Sequence, residues 1–304
     1  VRARRYLIYD VFTDTQLTGN PLAIVLDADG LDPAQMQRIA GEFNLSETVF
    51  VLAPEQPVHT ARVRIFTPRT ELPFAGHPTV GTAIALARAG ETSGSERTSL
   101  VVLEEGVGPV RCAVSAGNGA SFAEFDLPRL PERILFETPA EAVAASLGIP
   151  HHEIGFENHA VSVWSAGVPY VCVPVANLEV AGRVRLDARL WDEIVLQNEA
   201  LIGFPYVYCR ETVNHDCSFH ARMFAPQDGI PEDPATGSAA AAFAGAILTY
   251  DEPVEGTHRY WVEQGIEMGR PSRIRLEMEV VANRIEAARI GGRAVRVAEG
   301  TLLL

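Results

Sequence analysis

Three side chains in this sequence have the type and placement to move a proton: Glu47, His77 and Asp233. Glu47 lies in Leu45-Ser46-Glu47-Thr48-Val49, where a helical pattern gives way to a strand pattern. Element ends let a side chain reach a cleft from a rigid scaffold, although a solvent-facing loop glutamate reads the same way in isolation. His77 follows Gly76 and precedes Pro78 and a small-residue run, Thr79 to Ala87, that predicts a helix. Asp233 stands in the same relation to Pro234 and the run Ala235 to Ala246. A lone histidine is more often structural than catalytic, and an aspartate here is also a natural N-cap. Helix starts carry unpaired N–H groups and a partial positive charge, so each of the two is expected to attract an anion. Gly76, Gly81 and Gly237 permit close backbone approach, and the hydroxyls of Thr82 and Ser238 add donors, as in a carboxylate or oxyanion cradle.

The two helix starts belong to a repeat. Arg64-Ile65-Phe66-Thr67-Pro68 with His77-Pro78-Thr79-Val80-Gly81-Thr82-Ala83 returns about 157 positions later as Arg222-Met223-Phe224-Ala225-Pro226 with Asp233-Pro234-Ala235-Thr236-Gly237-Ser238-Ala239. Gly19-Asn20-Pro21 is echoed by Gly167-Val168-Pro169, and Glu104-Glu105-Gly106-Val107 by Glu263-Gln264-Gly265-Ile266. Landmarks kept in one order indicate an internal duplication and one ligand clamped between two related lobes. The copies are unequal: Ile202-Gly203-Phe204-Pro205 has no acid where the first copy has Glu47. A single carboxylate suits one acid/base group moving one proton. If His77 and Asp233 face each other, the carboxylate favours a charged imidazolium.

Around these residues the patterning predicts strands at Leu22 to Leu26, Thr48 to Leu52 and Ala61 to Phe66, and a helix from about Ala34 to Phe43 opened by Asp32-Pro33. Further strands are expected near Leu100 to Leu103 and Val110 to Val114. The second copy is expected to carry a helix from Ala188 to Glu199 and strands at Tyr206 to Cys209 and Phe219 to Phe224. The predicted fold class is α+β: two similar lobes, each a curved, barrel-like, mostly antiparallel sheet around one helix that is apolar on all sides and therefore enclosed. The Pro-rich stretch Leu127-Pro128-Arg129-Leu130-Pro131 sets expected boundaries of 1–128 for the first lobe and 129–285 for the second with a linking helix, leaving 286–304 as strands able to return to the first.

A formal charge of −14 opposes binding to nucleic acid or anionic membrane, which needs clustered Lys and Arg. No apolar run is long enough to span a bilayer, and Val1-Arg2-Ala3-Arg4-Arg5-Tyr6 leads into strand pattern without a signal-type stretch, so a cytoplasmic location is expected. The four cysteines, Cys112, Cys172, Cys209 and Cys217, lack C-x-x-C spacing and are expected as reduced thiols. His215, Cys217 and His220 lack a fourth partner, no nucleotide motif is present, and neither a metal nor a cofactor is expected.

The stretches Gly19-Asn20-Pro21, Asn44-Leu45-Ser46-Glu47, Phe74-Ala75-Gly76-His77-Pro78, Glu232 to Ala240 and Glu263 to Pro271 together resemble the PhzF-like family, within the group that has the diaminopimelate epimerase fold. The resemblance implies a cofactor-independent isomerase and a homodimer acting on a small carboxylate-bearing substrate such as trans-2,3-dihydro-3-hydroxyanthranilate. By the same resemblance Glu47 is the acid/base, and His77, Asp233 and Ser238 are its partners around the substrate. Asn20, Ser46, Gly76 and Gly237 supply further substrate contacts. Proline racemase-like members of the fold place thiols where this chain has Ala75 and Ala235, so two-thiol stereoinversion is excluded here. The alternative is a member that only binds a metabolite or protein.

Overall fold

The structure is a computed structural model and describes residues 3–89, 98–117, 119–198 and 203–304. Contacts divide it into two compact units, one of Val1–Pro128, Arg270–Ser272 and Gly291–Leu304, the other of Arg129–Gly269 and Arg273–Ile290.

In the first unit β1 (Ala3–Val11) and β2 (Asn20–Val25) form an antiparallel pair, with Val11 opposite Asn20. Gly19 makes the turn at φ +68°, and a Cβ there would collide with the Val11 carbonyl oxygen and the Thr13 side chain. Helix α1 (Pro33–Phe43) opens on a capping box between Asp32 and Gln35. It ends at Asn44, whose left-handed φ of 50° turns the chain into β3 (Glu47–Leu52). The unit continues with β4 (Ala61–Phe66), β5 (Glu71–Leu72), α2 (Gly76–Ala89), β6 (Thr98–Glu105), β7 (Gly108–Ser115) and β8 (Ser121–Asp126). On the outside, α1 buries Met36 and Ile39 against Val25, Phe50, Leu52 and Phe66.

The second unit runs through β9 (Glu132–Ile134), α3 (Ala140–Leu147), β10 (Ser162–Ser165), β11 (Pro169–Pro174), α4 (Leu178–Arg183), α5 (Ala188–Gln197), β12 (Phe204–Cys209), β13 (Phe219–Ala225), β14 (Ile230–Asp233), α6 (Gly237–Asp251), β15 (Gly256–Gln264) and β16 (Ser272–Val281). The last strand, β17 (Arg284–Leu303), contributes its later part to the first unit. The expected end of α5 at Glu199 lies outside the described residues.

Pairing shows the duplication directly. In the first unit β2 and β3 are parallel, β3 and β4 antiparallel, β4 and β6 parallel, and β4 and β5 antiparallel. The second repeats these senses in β11 with β12, β12 with β13, β13 with β15 and β13 with β14. The first sheet closes because β17 pairs with β1, Leu303 opposite Ala3 through Ala294 opposite Val11, and also with β8. Closure leaves no open edge in the ring.

Each unit encloses one helix, as the apolar runs predict. Helix α2 is buried from Gly76 to Ala85, and α6 buries Gly237 and Ala239 to Ile247. A Cβ at Gly81 would lie 2.6 Å from Leu22 Cδ2 and 2.7 Å from Val11 Cγ2, so glycine lets α2 approach β1 and β2. At Gly245 a Cβ would run into the ring of Trp164 on β10, the corresponding close approach in the second unit. The helix starts differ from expectation. Thr79 N–H donates to the Ala75 carbonyl, so α2 begins at Gly76 rather than after the proline, whose missing N–H costs nothing in a first turn. Helix α6 begins at Gly237 with Thr236 as N-cap, which corrects the N-cap reading of Asp233.

All four cysteines are free and buried. Burial pushes the Cys112 and Cys172 thiols far up, Cys209 to about 12 and Cys217 to about 11, so none ionises near neutrality. Among the described residues no cluster of His, Cys, Asp and Glu has the makings of a metal site, and no helix is long and apolar enough to cross a membrane. His220 is instead held between two carboxylates, Nδ1 at 3.0 Å from Glu263 and Nε2 at 2.9 Å from Glu267. Burial depresses its pKa, but the hydrogen bonds and charge of Glu263 and Glu267 more than reverse this, to about 9. With a folded pKa above the unfolded value, the imidazolium's stabilisation is complete below about pH 6.5 and is lost as pH rises through 9. Denaturant unfolding is therefore expected to decline between pH 6.5 and 9.5 by on the order of 2–3 kcal/mol more in the wild type than in His220→Gln; an equal decline in the variant contradicts the assignment.

Candidate active site

Glu47, the first residue of β3, lies opposite Leu22 in the parallel pair with β2, and Asn20 is the first residue of β2. The adjacent strand starts thus carry both side chains to the same end of the sheet. His77 reaches that end from the first turn of α2. The three meet: His77 Nε2 stands 3.3 Å from Glu47 Oε2, and Asn20 Nδ2 stands 3.4 Å from His77 Nδ1. The environment is dry, with side-chain exposures of 5% for His77 and 13% for Glu47, and Asn20 fully buried.

This arrangement assigns the tautomer. An Asn20 amide that donates to Nδ1 leaves the ring proton on Nε2, which stands 3.3 Å from Glu47 Oε2 without the alignment of a hydrogen bond. Burial pushes the His77 pKa down to about 3, so the imidazole is neutral at physiological pH. Burial thus disfavours the imidazolium that a facing Asp233 would favour. A neutral imidazole beside a carboxyl leaves the carboxyl's charge uncancelled. Ser46 precedes Glu47 and is half-buried, and Gly76 is the first residue of α2.

The second unit holds its own predicted residues together. Asp233, the buried last residue of β14, accepts a hydrogen bond from the Thr236 hydroxyl at 2.5 Å, and its main-chain carbonyl accepts one from Gln264 Nε2 at 2.7 Å. Gly237 opens α6, and Ser238 Oγ lies 2.7 Å from the Tyr170 hydroxyl on β11. Thus the aligned residues His77 and Asp233 occupy different local structures, one inside a helical turn and one on a strand.

Sequence reasoning missed Tyr170, Gln264 and Glu105. Glu105 ends β6 with its side chain inward, and its carboxyl oxygen lies 2.8 Å from the Thr79 hydroxyl in the first turn of α2. The available signal was strand alternation: Val101, Leu103 and Glu105 fall on the buried face of β6, an unusual place for a carboxyl. Tyr170 was already part of the predicted strand after Gly167-Val168-Pro169, but its hydroxyl contact depends on tertiary packing.

The family model described as phenazine biosynthesis-like protein matches residues 9–300. An uncharacterized isomerase of Mesorhizobium japonicum is 60% identical over the whole of both chains. The trans-2,3-dihydro-3-hydroxyanthranilate isomerase of Pseudomonas aeruginosa is 36% identical, with 99% of each chain covered. Among solved structures, the phenazine biosynthesis protein of the PhzF family from Bacillus anthracis superposes with a TM-score of 0.90 at 30% identity, covering 100% of both chains. With the matched region running through the strand starts and helix turns that carry Asn20, Glu47, His77 and Asp233, the chain is an isomerase belonging to the phenazine biosynthesis-like family.

Proposed function

We propose that this isomerase relocates a proton between two carbon atoms of a small carboxylate-bearing substrate, with Glu47 as the single acid/base. The observation that carries the proposal is the unequal duplication around Glu47. The pairing of β2 with β3 sets Leu22 opposite Glu47, and the matched pairing of β11 with β12 sets Tyr170 opposite Phe204. Since Leu22 and Tyr170 each follow the proline of the repeated turn, Phe204 occupies the place of Glu47 and cannot accept a proton. One carboxylate, held beside a neutral His77 N–H in a dry setting, is suited to taking a proton from an activated C–H and returning it elsewhere.

In that step the Glu47 carboxylate accepts the proton from carbon and the C–H electron pair moves into the adjoining π system. The double bond shifts, and the now neutral Glu47 delivers the same proton to the other end of the system. The enzyme ends in its starting protonation state without an external oxidant or co-reactant. Asp233 and Ser238 are assigned to the substrate's polar groups, and Gly76 and Gly237 to N–H contacts at the first residues of the two enclosed helices. A homodimer, as the family resemblance implies, and the cytoplasmic location expected from the sequence are part of the same reading.

The test uses trans-2,3-dihydro-3-hydroxyanthranilate, the compound in the name of the Pseudomonas aeruginosa relative, incubated with the purified protein in deuterated water. One-base transfer predicts product with clearly less than one deuterium per turnover at the accepting carbon, because Glu47 returns much of the original proton. Full deuterium incorporation from the first turnover contradicts return by a shielded single base. Saturable binding without turnover or C–H exchange, for this compound and related cyclic carboxylates, contradicts proton transfer and favours a member that only binds.

A further inference from the structure

Glu105 sits outside the proposed proton path, yet it is the counterpart of a residue whose task in the second unit is visible. The parallel pair of β4 with β6 sets Arg62 opposite Glu104, and that of β13 with β15 sets His220 opposite Glu263, so Glu105 and Gln264 are equivalent by register as well as by sequence. The Gln264 amide fastens the approach to α6: its nitrogen donates to the Asp233 carbonyl at 2.7 Å and to Thr236 Oγ1 at 3.0 Å, while its oxygen accepts from Thr236 N–H at 3.3 Å. Glu105 approaches the start of α2, through Thr79 at 2.8 Å, two residues after His77.

The Thr79 hydroxyl reveals the proton count. It lies 2.8 Å from the Ala75 carbonyl and 2.8 Å from Glu105 Oε1, and it has one hydrogen. A carbonyl only accepts, so a hydroxyl that donates to Ala75 has a lone pair left for Glu105, and the second contact needs a proton from Glu105. The other carboxyl oxygen, Oε2, is buried with no hydrogen-bond partner among the described residues, a placement far costlier for a charged group than for a neutral acid.

We propose that Glu105 is a positioning residue, a neutral carboxylic acid standing in for the amide of Gln264, that fixes the first turn of α2 and with it the His77 imidazole against Glu47. Among the described residues no neighbouring cation is free to hold it as a carboxylate. On β4, Arg62 is paired with Glu55 and Arg64 with Glu71 of β5; on β6, Glu104 is engaged by His59 and the main chain of Glu55 and Gln56; on β7, Cys112 is a buried neutral thiol. Burial accordingly raises the Glu105 pKa to about 8, and the Thr79 hydroxyl opposes this only if it turns from the Ala75 carbonyl to donate to the carboxylate. A mildly alkaline solution would convert the acid to a carboxylate and loosen the turn.

The proposal uses the placement of His77 in the site, but its test does not need turnover. Protein labelled at the glutamate carboxyl carbon and the histidine ring nitrogens is titrated by NMR from pH 6 to 10 in the wild type, Glu105→Gln and Glu105→Ala. A carboxyl resonance absent from Glu105→Gln is expected to titrate near 8, accompanied by a shift of the His77 ring that Glu105→Gln abolishes. Hydrogen exchange in the first turn of α2 is expected to stay within about threefold of wild type in Glu105→Gln and to accelerate by about tenfold or more in Glu105→Ala. A Glu105 carboxyl already ionised at pH 6, or a His77 ring indifferent to Glu105 titration, overturns the proposal. In turnover of trans-2,3-dihydro-3-hydroxyanthranilate, Glu105→Ala is expected to lose at least tenfold in kcat and Glu105→Gln to recover most of it. Equal loss in both variants also overturns it. Activity that persists in Glu47→Gln points to failure of the site assignment instead.

Discussion

Replacing Glu47 with glutamine is expected to lower kcat by about 10³-fold or more while leaving the affinity for trans-2,3-dihydro-3-hydroxyanthranilate within about threefold of wild type. Glutamine keeps the shape and one hydrogen-bonding oxygen but has no basic carboxylate, so it fills the place beside His77 Nε2 without accepting a proton from carbon. General acid–base catalysis by one group typically supplies about 10²–10⁴-fold. The upper part of that range applies when the same group both removes and returns the proton. No second carboxyl can substitute from the equivalent strand start, because Phe204 stands there. Isothermal titration with the variant and stopped-time product analysis separate the two effects. A variant that turns over at more than a tenth of the wild-type rate removes Glu47 from the mechanism.

The parts of this picture that sequence carries are those fixed by local chemistry. Asp32-Pro33 announces α1, the apolar runs after His77 and Asp233 announce enclosed helices, and repeated Gly-x-Pro turns mark matching strands. Glu47 can be named because it sits at an element end with no acid in its place in the second copy, whereas Asn20 is named only through the family resemblance. Their meeting with His77 is not local: it follows from the parallel register of β2 with β3 and from how closely Gly81 lets α2 approach β2. The protonation of His77 is not local either. A sequence shows that a carboxylate is nearby in kind, whereas the imidazole's protonation depends on how completely water is excluded around it. Asp233 illustrates the reverse case, where a residue ideal for capping lies one strand end too early because Thr236 takes the N-cap. Glu105 was legible by alternation in β6, but its meaning emerged only when the register matched it to Gln264.

His77→Asn is expected to lower kcat by about 10²-fold, with His77→Gln less damaged because its amide nitrogen extends to about the position of Nε2. The reason is directional. Nδ1 is engaged by Asn20, which leaves Nε2–H 3.3 Å from Glu47 Oε2, near enough to donate once the carboxyl turns to it, and the shorter asparagine cannot place a donor there. Since burial holds the His77 pKa at about 3, a limb near pH 6.5 in the kcat/KM profile is not expected from this residue. NMR of the ring nitrogens is expected to show one protonated and one bare nitrogen from pH 5 to 8. The stability consequence runs opposite to that of His220. With its folded pKa below the unfolded value, His77 leaves stability unaffected above about pH 6.5 and lowers it as pH falls towards 3, because only the unfolded chain takes up the proton. A His77 ring that titrates between pH 6 and 7 in the free enzyme would mean an ion pair with Glu47, and a carboxylate so neutralised is a weaker base for carbon. The double variant Glu47→Gln/His77→Asn distinguishes these cases further: if His77 acts only through Glu47, its loss adds little once Glu47 is gone, whereas a multiplicative loss assigns His77 an independent contact with the substrate.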